Sequence, residues 1–408
     1  MNLTEVANMK TSRVILSIGL ITSLAGCLDE NNNDSNYVGI ECSNSQLDMA
    51  IQTISTDFTS SAVAIGCSDG GLLDSNLIST ESDRTVSVGS KSFYHIGKAG
   101  IDLISSYDFL LPDVENWTYS TNDANESTSN TYKLLEVSDT KAYLIRYNKS
   151  KVWIVDPSAM NANDFKVGEL DLGAYLASTD LTTSTATDMI DAVITDGKLY
   201  VAMQRLRNGA EASWGGDAYD YTNDSMVAVF DITTDLELEA SPSNASFKGI
   251  TLQGSNVQSL NVFENTIYAS SRGNYSNDFG LLETINTNTF EVNTLFAGSA
   301  ELGAIADSAI ISATQGYILT DLSKTIDSVY TYQHKVLPIN PSTGQADDAL
   351  TGFNNIHLTD IEVGPNNYLW ILSAVNSNPG VYKLDVTNNE ETVFLKTNLN
   401  PHNIAFKH

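Results

Sequence analysis

Short apolar segments alternate with polar turns along most of the chain. The clearest unit predicts four strands, at Met189–Ile194, Leu199–Met203, Ser225–Phe230 and Phe247–Leu252. The last unit repeats the same order, at Leu358–Val363, Tyr368–Leu372, Val381–Leu384 and Val393–Lys396. Apolar runs of this length bounded by turn residues are typical of β-strands. The chain is therefore predicted to be all-β, built from units of four short strands.

An apolar residue followed by Asp or Asn marks one turn in each unit. The markers are Tyr107-Asp108, Val155-Asp156, Phe230-Asp231, Ile285-Asn286, Ile339-Asn340 and Leu384-Asp385. Their Asp and Asn positions are separated by 48, 75, 55, 54 and 45 residues. Asx side chains favour such turns because they hydrogen-bond their own backbone. Four strands in about 45–50 residues is typical of a β-propeller blade.

Some strands are apolar on consecutive residues, which predicts burial on both faces. Val152–Val155 and Leu199–Met203 are examples. A blade packed between two neighbours provides that environment, whereas a two-layer β-sandwich predicts alternation and no fixed period.

Predicted strands at both ends of the chain lie outside the six full units. Ser61–Cys67 and Asn76–Thr80 match outer strands, and Asn403–Phe406 matches a first strand without a blade. We expect both termini to share a seventh blade, which would close the ring and remove exposed sheet edges. Over residues 45–408 the pattern resembles the YncE/YVTN class of seven-bladed propellers. That resemblance implies the fold and little about chemistry.

The N-terminus carries a targeting pattern. Lys10 and Arg13 precede the apolar run Val14–Leu24, which is too short to span a bilayer comfortably. The following Leu24-Ala25-Gly26-Cys27 resembles the cleavage box of bacterial lipoproteins. The resemblance implies a signal peptide over residues 1–26, lipidation of Cys27 (palmitate among the acyl chains) and a membrane anchor facing the periplasm. An ordinary secretory signal is the alternative.

The residues after Cys27 predict a tether. Leu28, rather than Asp, follows Cys27, which by the family's sorting rule favours the outer membrane over the inner one. Residues 27–44 are polar and acidic and are predicted to be flexible. In an oxidising periplasm, the remaining Cys42 and Cys67 are predicted to form one disulfide.

The charge balance excludes whole classes of partner. The chain has 21 Lys and Arg against 50 Asp and Glu, a formal charge of −29. Without Lys10, Arg13 and Glu5 the mature chain carries −30. A strongly acidic surface argues against nucleic acid and against electrostatic docking on anionic lipid.

The few basic residues are concentrated near second strands. We expect them to meet on one face as a basic or mixed-charge crown for an acidic peptide, an anionic ligand or an acidic partner. The predicted binding residues are Arg146, Arg205, Arg207, Trp214, Tyr219, Tyr221, Arg272 and Tyr275, with Lys98, Lys149, Lys151 and Lys324 nearby. The alternative is that these cations form local ion pairs with the abundant carboxylates.

Catalytic motifs are weak. Gly66-Cys67-Ser68-Asp69-Gly70 matches G-x-S-x-G, but it lies in a β-rich segment without the strand–turn–helix context that this motif needs. Among the five histidines, none has metal-ligand spacing, and His95 and His357 are expected inside strands. Asp217, Asp220 and Asp224 favour a solvated acidic turn over a Ca²⁺ loop. We predict no metal, no cofactor and no catalytic residue.

These observations favour a non-enzymatic, lipid-anchored periplasmic binding or scaffold propeller. Its expected partner is an outer-membrane channel or transporter, including one for hydrophobic nutrients such as hydrocarbons, by analogy of fold. The alternative is a propeller enzyme of lyase, glycosidase or lactonase type at the channel mouth. The enzyme hypothesis predicts a metal or a converging carboxylate pair there.

Overall fold

The computed structural model describes residues 42–43, 46–177, 185–206, 221, 223–241, 246–274, 278–326 and 329–407, without side chains at 74–78. All of them belong to the unit Val38–His408. The helical elements named among the described residues are α1 (Ala162–Phe165) and the 3-10 turns Gly173–Tyr175 and Pro365–Asn367. Within the described ranges, no helix has the length and apolarity needed to cross a membrane.

The strands form seven radial sheets. Blade 1 contains β1 (Met49–Ile54), β2 (Ser61–Cys67), β3 (Gly71–Ser79) and the last strand of the chain, β31 (Asn400–Phe406). Blade 2 contains β4 (Arg84–Val88), β5 (Ser92–Gly97), β6 (Leu103–Asp108) and β7 (Leu111–Ser120). Blade 3 contains β8 (Thr131–Ser138), β9 (Lys141–Arg146), β10 (Lys151–Val155) and β11 (Lys166–Asp171). Blade 4 contains β12 (Met189–Thr195), β13 (Lys198–Met203), β14 (Met226–Asp231) and β15 (Ile250–Thr251).

The remaining blades follow the same order. Blade 5 contains β16 (Val257–Phe263), β17 (Thr266–Ser271), β18 (Leu281–Asn286) and β19 (Val292–Ala297). Blade 6 contains β20 (Ala304–Ser312), β21 (Gln315–Asp321), β24 (His334–Asn340), β25 (Gln345–Ala346) and β26 (Asn354–Ile356). Its second and third strands are joined through a separate hairpin of β22 (Lys324–Ile326) and β23 (Val329–Thr331). Blade 7 contains β27 (Leu358–Val363), β28 (Leu369–Ser373), β29 (Gly380–Asp385) and β30 (Glu390–Lys396).

The C-terminal strand closes the ring. Strand β31 pairs antiparallel with β1, from Met49 opposite Phe406 to Ile54 opposite Asn400. The innermost strands β4, β8, β12, β16, β20, β27 and β31 then contact one another in a complete circle. The predicted sharing of one blade between the two termini is confirmed. Strand β1 was not recognisable from the sequence, because buried Gln52 and Thr53 interrupt its apolar pattern.

The six sequence markers all lie where a third strand turns into a fourth. In each one the Asp or Asn side-chain oxygen accepts a hydrogen bond from the backbone N–H two residues on, at 2.8–2.9 Å. The repeated Asx residue is therefore the turn former of each of these blades.

The core consists of layers between neighbouring blades. In β13, Leu199 and Val201 pack against the sheet of blade 3, whereas Tyr200 and Ala202 pack against that of blade 5. This two-sided burial explains why such strands are apolar on consecutive residues. It also excludes the β-sandwich alternative.

The predicted disulfide is present. Cys42 and Cys67 are bonded, with their Cα atoms 6.0 Å apart. The bond attaches the segment before β1 to the end of β2.

Candidate functional site

The basic residues predicted to form a crown do end or follow second strands, but most of the described ones, the arginines included, have local partners. Arg146 is 1% exposed; its Nε donates to the Thr121 carbonyl at 3.0 Å, and its Nη2 binds the Glu126 carboxylate. Its guanidinium carbon lies 4.0 Å from the centre of the Trp153 ring. Arg146 therefore anchors the connection between blades 2 and 3.

The other described cations behave in the same way. Arg205 donates to the carbonyls of Tyr175 at 2.8 Å and Asp224 at 3.0 Å. Arg272 binds the Asp321 carboxylate. These contacts match the local-pairing alternative rather than a free basic crown.

Several predicted site residues lie outside the described residues. These are Cys27, Arg207, Trp214, Tyr219 and Tyr275, together with Asp217 and Asp220 of the acidic turn. Tyr221 is described and half-buried. A role in binding for this set stays a prediction.

Polar side chains line the central channel at a repeated position. Six of the seven inner strands contain a β-bulge near the end at which they enter the blade. The residues left unpaired there are Tyr132, Ile190, Gln258, Ala306, Thr359 and His402. The residues that follow them are Lys133, Asp191, Ser259, Asp307, Asp360 and Asn403. A polar residue at this position of six of the seven inner strands was the sequence signal for the channel, and it was not recognised from the sequence.

These side chains connect neighbouring blades. The inner edge of each inner strand has no further strand to pair with, so its N–H groups need other acceptors. Asp191 Oδ2 accepts from Leu260 N at 2.8 Å, and Asp360 Oδ2 accepts from Ile404 N at 3.2 Å. Lys133 Nζ also donates to Asp191 Oδ1 at 2.7 Å. The carboxylates in the channel are thus structural acceptors.

Three acidic groups remain close together in the channel. A side-chain hydrogen bond joins Asp307 and Asp360, and Ser259 Oγ donates to Asp307 at 2.6 Å. Burial, and then the neighbouring Asp307, raise the pKa of Asp360 well above its ordinary value. The same two causes raise the pKa of Glu362 to about 7. Burial raises the pKa of Asp307 as well, so charge on either carboxyl is disfavoured in this pair.

A second group of side chains surrounds one end of the channel, and we call it the mouth: Lys98, Tyr132, Tyr332, His357 and His402. Lys98 Nζ lies 2.9 Å from Asp83 Oδ1 and 5.0 Å from the centre of the Tyr132 ring. The Tyr332 and His357 rings stack with centroids 3.5 Å apart. His357 immediately precedes β27 instead of lying inside a strand, which corrects the sequence expectation. His95, in contrast, lies within β5 as expected.

Both imidazoles of the mouth are neutral at pH 7. Burial lowers the pKa of His357 to about 4, with a further contribution from His334. Burial, and then the charge of Lys98, lower the pKa of His402 to about 4. His402 is nevertheless exposed to solvent.

Other candidate catalytic groups are occupied. Ser68 Oγ donates to Asp48 Oδ2 at 2.6 Å, and strand β3 rather than a helix follows it. The His334 Nδ1 atom accepts from Leu358 N at 3.2 Å, and its Nε2 faces Asp321 Oδ1 at 3.5 Å. Among the described residues, no group of three or more His, Cys, Asp or Glu side chains has an arrangement suited to a metal ion.

The blade 6 hairpin, β22–β23, carries exposed apolar side chains. Ile326 is 40% exposed, Val329 65% and Tyr330 56%. The base of the hairpin is fixed, because Leu322 N donates to the Gln333 carbonyl at 2.8 Å and Tyr332 stacks on His357. The hairpin therefore presents an apolar tip beside the mouth.

Comparison with solved structures shows a seven-bladed propeller. A candidate 6-phosphogluconolactonase from Bacteroides fragilis is 11% identical, with a TM-score of 0.56 and coverage of 92% of this chain and 99% of that one. Periplasmic gluconolactonase PpgL from Pseudomonas aeruginosa is 10% identical, with a TM-score of 0.55 and coverage of 88% and 98%. Apo AztD from Citrobacter koseri is 12% identical, with a TM-score of 0.51 and coverage of 88% and 98%. Neither a family model nor a curated protein sequence matches the chain. At these identities the likeness concerns the fold alone.

Proposed function

We propose that this chain is a non-enzymatic, lipid-anchored propeller of the periplasm, which docks a membrane protein of the envelope through the blade 6 hairpin. The observation that carries the proposal is the apolar tip, Ile326, Val329 and Tyr330, on an otherwise acidic protein. Aliphatic and aromatic side chains clustered on a fixed loop are typical of protein-binding anchors.

The chemistry of the partner follows from charge. The mature chain carries −30, and the described arginines are occupied by local partners. A complementary surface would offer an apolar pocket for the tip, bordered by Lys or Arg side chains. An outer-membrane channel with such a periplasmic surface is the partner we propose.

Membrane attachment is part of the proposal. The Leu24–Cys27 box supports it, and the Cys42–Cys67 disulfide fits an oxidising compartment. We expect Cys27→Ala to abolish palmitate labelling and to release the chain from the membrane fraction. Labelling that persists in Cys27→Ala would disprove the anchor.

Site-specific photo-crosslinking tests the docking surface. A benzophenone amino acid at Tyr330 of the lipidated chain should yield an adduct with an integral envelope protein. The same group at Leu236, which is 66% exposed on a third-to-fourth-strand turn of blade 4, is the matched control. Adding Val329→Asp to the Tyr330 probe should abolish the adduct. Identical adducts from both positions, or none from Tyr330, would contradict docking through the hairpin.

The channel carboxyls favour one second candidate, a lactonase-type enzyme. Asp307 and Asp360 converge, and Glu362 has a pKa near 7, which suits a general acid or base. Two of the proteins similar in fold carry lactonase names. The test is base uptake in a pH-stat with glucono-δ-lactone as substrate. Uptake that is lost in Glu362→Gln but retained in Glu301→Gln would support lactonase activity. Hydrolysis at the uncatalysed rate would exclude this substrate.

A further inference from the structure

A cleft with a volume of about 530 Å³ is lined by residues of blades 6 and 7. These residues belong to three turns: β20–β21 in blade 6, and β27–β28 and β29–β30 in blade 7. In an antiparallel blade the first and third turns lie at one face, and the connection between the second and third strands lies at the other. The cleft is therefore on the face opposite to the β22–β23 hairpin, which joins the second and third strands of blade 6.

The polar side chains that line the cleft have unused hydrogen-bonding capacity. Asp385 Oδ1 accepts from Thr387 N at 2.8 Å and from Thr387 Oγ1 at 2.7 Å. Within the described ranges, Asp385 Oδ2 and the side-chain amides of Asn366 and Asn367 make no hydrogen bond. A ligand in the cleft can therefore bind a carboxylate oxygen and two amides without breaking a hydrogen bond of the fold.

The cleft carries one negative charge that no described cation balances at ion-pair distance. The carboxyl of Asp385 is ionised at pH 7, because it is accessible to solvent and the hydrogen bonds from Thr387 hold its pKa below the ordinary value. No Lys or Arg is among the described residues that line the cleft. Lys383, two positions before Asp385, donates instead to the Ser68 carbonyl of blade 1 at 2.6 Å. The charge of Asp385 therefore disfavours an anionic ligand and favours a cationic one.

The equivalent junction between blades 3 and 4 contains a cation of the chain itself. Lys141 and Gln315 each begin the second strand of their blade. Lys141 Nζ donates to the Ile232 carbonyl at 2.7 Å and to the Asp235 carboxylate at 2.8 Å. Gln315 Nε2 donates to the Val386 carbonyl, and Val386, like Ile232, directly follows the Asx residue of its turn. Blade 3 thus supplies an ammonium group at the position where blade 6 supplies a neutral amide.

The distribution of the acceptors favours a guanidinium group over an ammonium group. Asp385 and the two asparagines belong to different turns of blade 7, so donors spread across a ligand match them better than donors on one nitrogen. A guanidinium group has five N–H donors in a rigid plane, whereas an ammonium group has three on one atom. Ile311 and Val386 also line the cleft and offer apolar contact to the aliphatic stem of such a ligand.

We propose that the cleft between blades 6 and 7 binds a guanidinium group, with Asp385 as its counter-ion and Asn366 and Asn367 as further acceptors. Two sources carry this chemistry: free arginine and an arginine side chain of another polypeptide. The cleft and the hairpin tip are on opposite faces of the propeller, so this site does not depend on the docking proposed above.

The test uses the lipidated full chain in non-ionic detergent and saturation-transfer difference NMR at pH 7. The probe is N-acetyl-L-arginine amide, which carries a guanidinium group and no other charge. We expect a Kd on the order of 1 mM, with weaker binding of butylammonium and of methyl glucoside. Asp385→Asn should weaken binding at least about tenfold, because it removes the charge. The turn should persist in this variant, because Asn forms the same turn in blades 5 and 6.

A second variant tests the other turn of blade 7. Asn366 has a φ of 62°, a left-handed conformation that Gly adopts readily. Asn366→Gly therefore removes the amide and keeps the turn, and it should weaken binding about threefold. The two sources of the ligand are distinguished with free L-arginine. Tighter binding of L-arginine than of the amide would indicate the free amino acid, and equal or weaker binding would indicate a polypeptide side chain.

The matched control is Asp231→Asn, which removes the same charge from the equivalent turn of blade 4, where Lys141 is nearby. Asp231→Asn should bind the probe as the unaltered chain does, and so should Tyr330→Ala on the hairpin. Unchanged affinity in Asp385→Asn would overturn the proposal. An equal loss in Asp231→Asn, or tighter binding of butylammonium or methyl glucoside than of the arginine amide, would overturn it as well.

Discussion

At the residue scale, the channel places acidic groups where desolvation opposes their charge. Lys133 Nζ lies 2.7 Å from the Asp191 carboxylate. Burial lowers the pKa of Lys133, but the charge and hydrogen bond of Asp191, with smaller contributions from Glu362 and Asp307, raise it above its ordinary value. Asp307, Asp360 and Glu362 have no comparable cation at hydrogen-bonding distance among the described residues. The stability of the propeller is therefore expected to depend on pH through these three groups.

This arrangement predicts a loss of stability as pH rises toward 7. Glu362 has a pKa of about 7 in the folded chain and an ordinary value of 4.5. From about pH 4.5 to 7 the unfolded chain releases a proton that the folded chain retains, so the free energy of unfolding falls with rising pH. Thermal unfolding at pH 5 and pH 8 should show a smaller drop in Tm for Glu362→Gln than for the unaltered chain.

The control for this experiment is Glu301→Gln, which removes the same charge from an exposed position. Its drop in Tm should equal that of the unaltered chain. An undiminished drop in Glu362→Gln would show that another group carries the pH dependence.

At the element scale, the Asx turns set the length of each third strand. Asn286 Oδ1 accepts from the backbone N–H groups of Asn288 and Thr289, both at 2.9 Å. Asp231 has the same pair of contacts, to Thr233 and Thr234. These bonds end the strand locally, without help from other blades, and that is why the repeat could be read from the sequence.

We expect Asn286→Ala to destabilise the protein by about 1 kcal/mol, because it removes the acceptor of two backbone donors in a solvent-exposed turn. Urea unfolding should show a lower midpoint with an unchanged m-value. Asn286→Asp keeps the acceptor and should retain the stability. Asn293→Ala, at an exposed position of β19, is the matched control; an equal loss there would contradict a role for the turn.

At the scale of the whole molecule, stability depends on ring closure by β31. Ile404 and Phe406 pack with Met49, Ile51 and Trp370 at the junction of blades 7 and 1. Removing β31 would expose this apolar cluster and leave the edge of β1 unpaired.

Deletion of residues 400–408 should therefore abolish cooperative unfolding and cause aggregation, as followed by circular dichroism and light scattering. A chain lacking only His408 should behave like the complete one. Addition of a peptide spanning residues 400–408 should restore part of the cooperative transition. A truncated chain that unfolds cooperatively at the original Tm would show that closure is not required.

The sequence by itself determined the all-β class, the repeat, the turn positions, the disulfide and the closure by both termini. Each of these depends on local hydrogen bonding or on apolar periodicity, which are properties of neighbouring residues. Whether Arg146 is a free cation depended on Glu126, which lies in the connection leading into its own blade, and on Trp153 in the next strand. The mouth likewise joins Lys98 to His402, about 300 residues apart in the chain. Only the tertiary structure could decide these pairings: folding of a blade and its connecting segment sets the partners of Arg146, and ring closure brings Lys98 and His402 together.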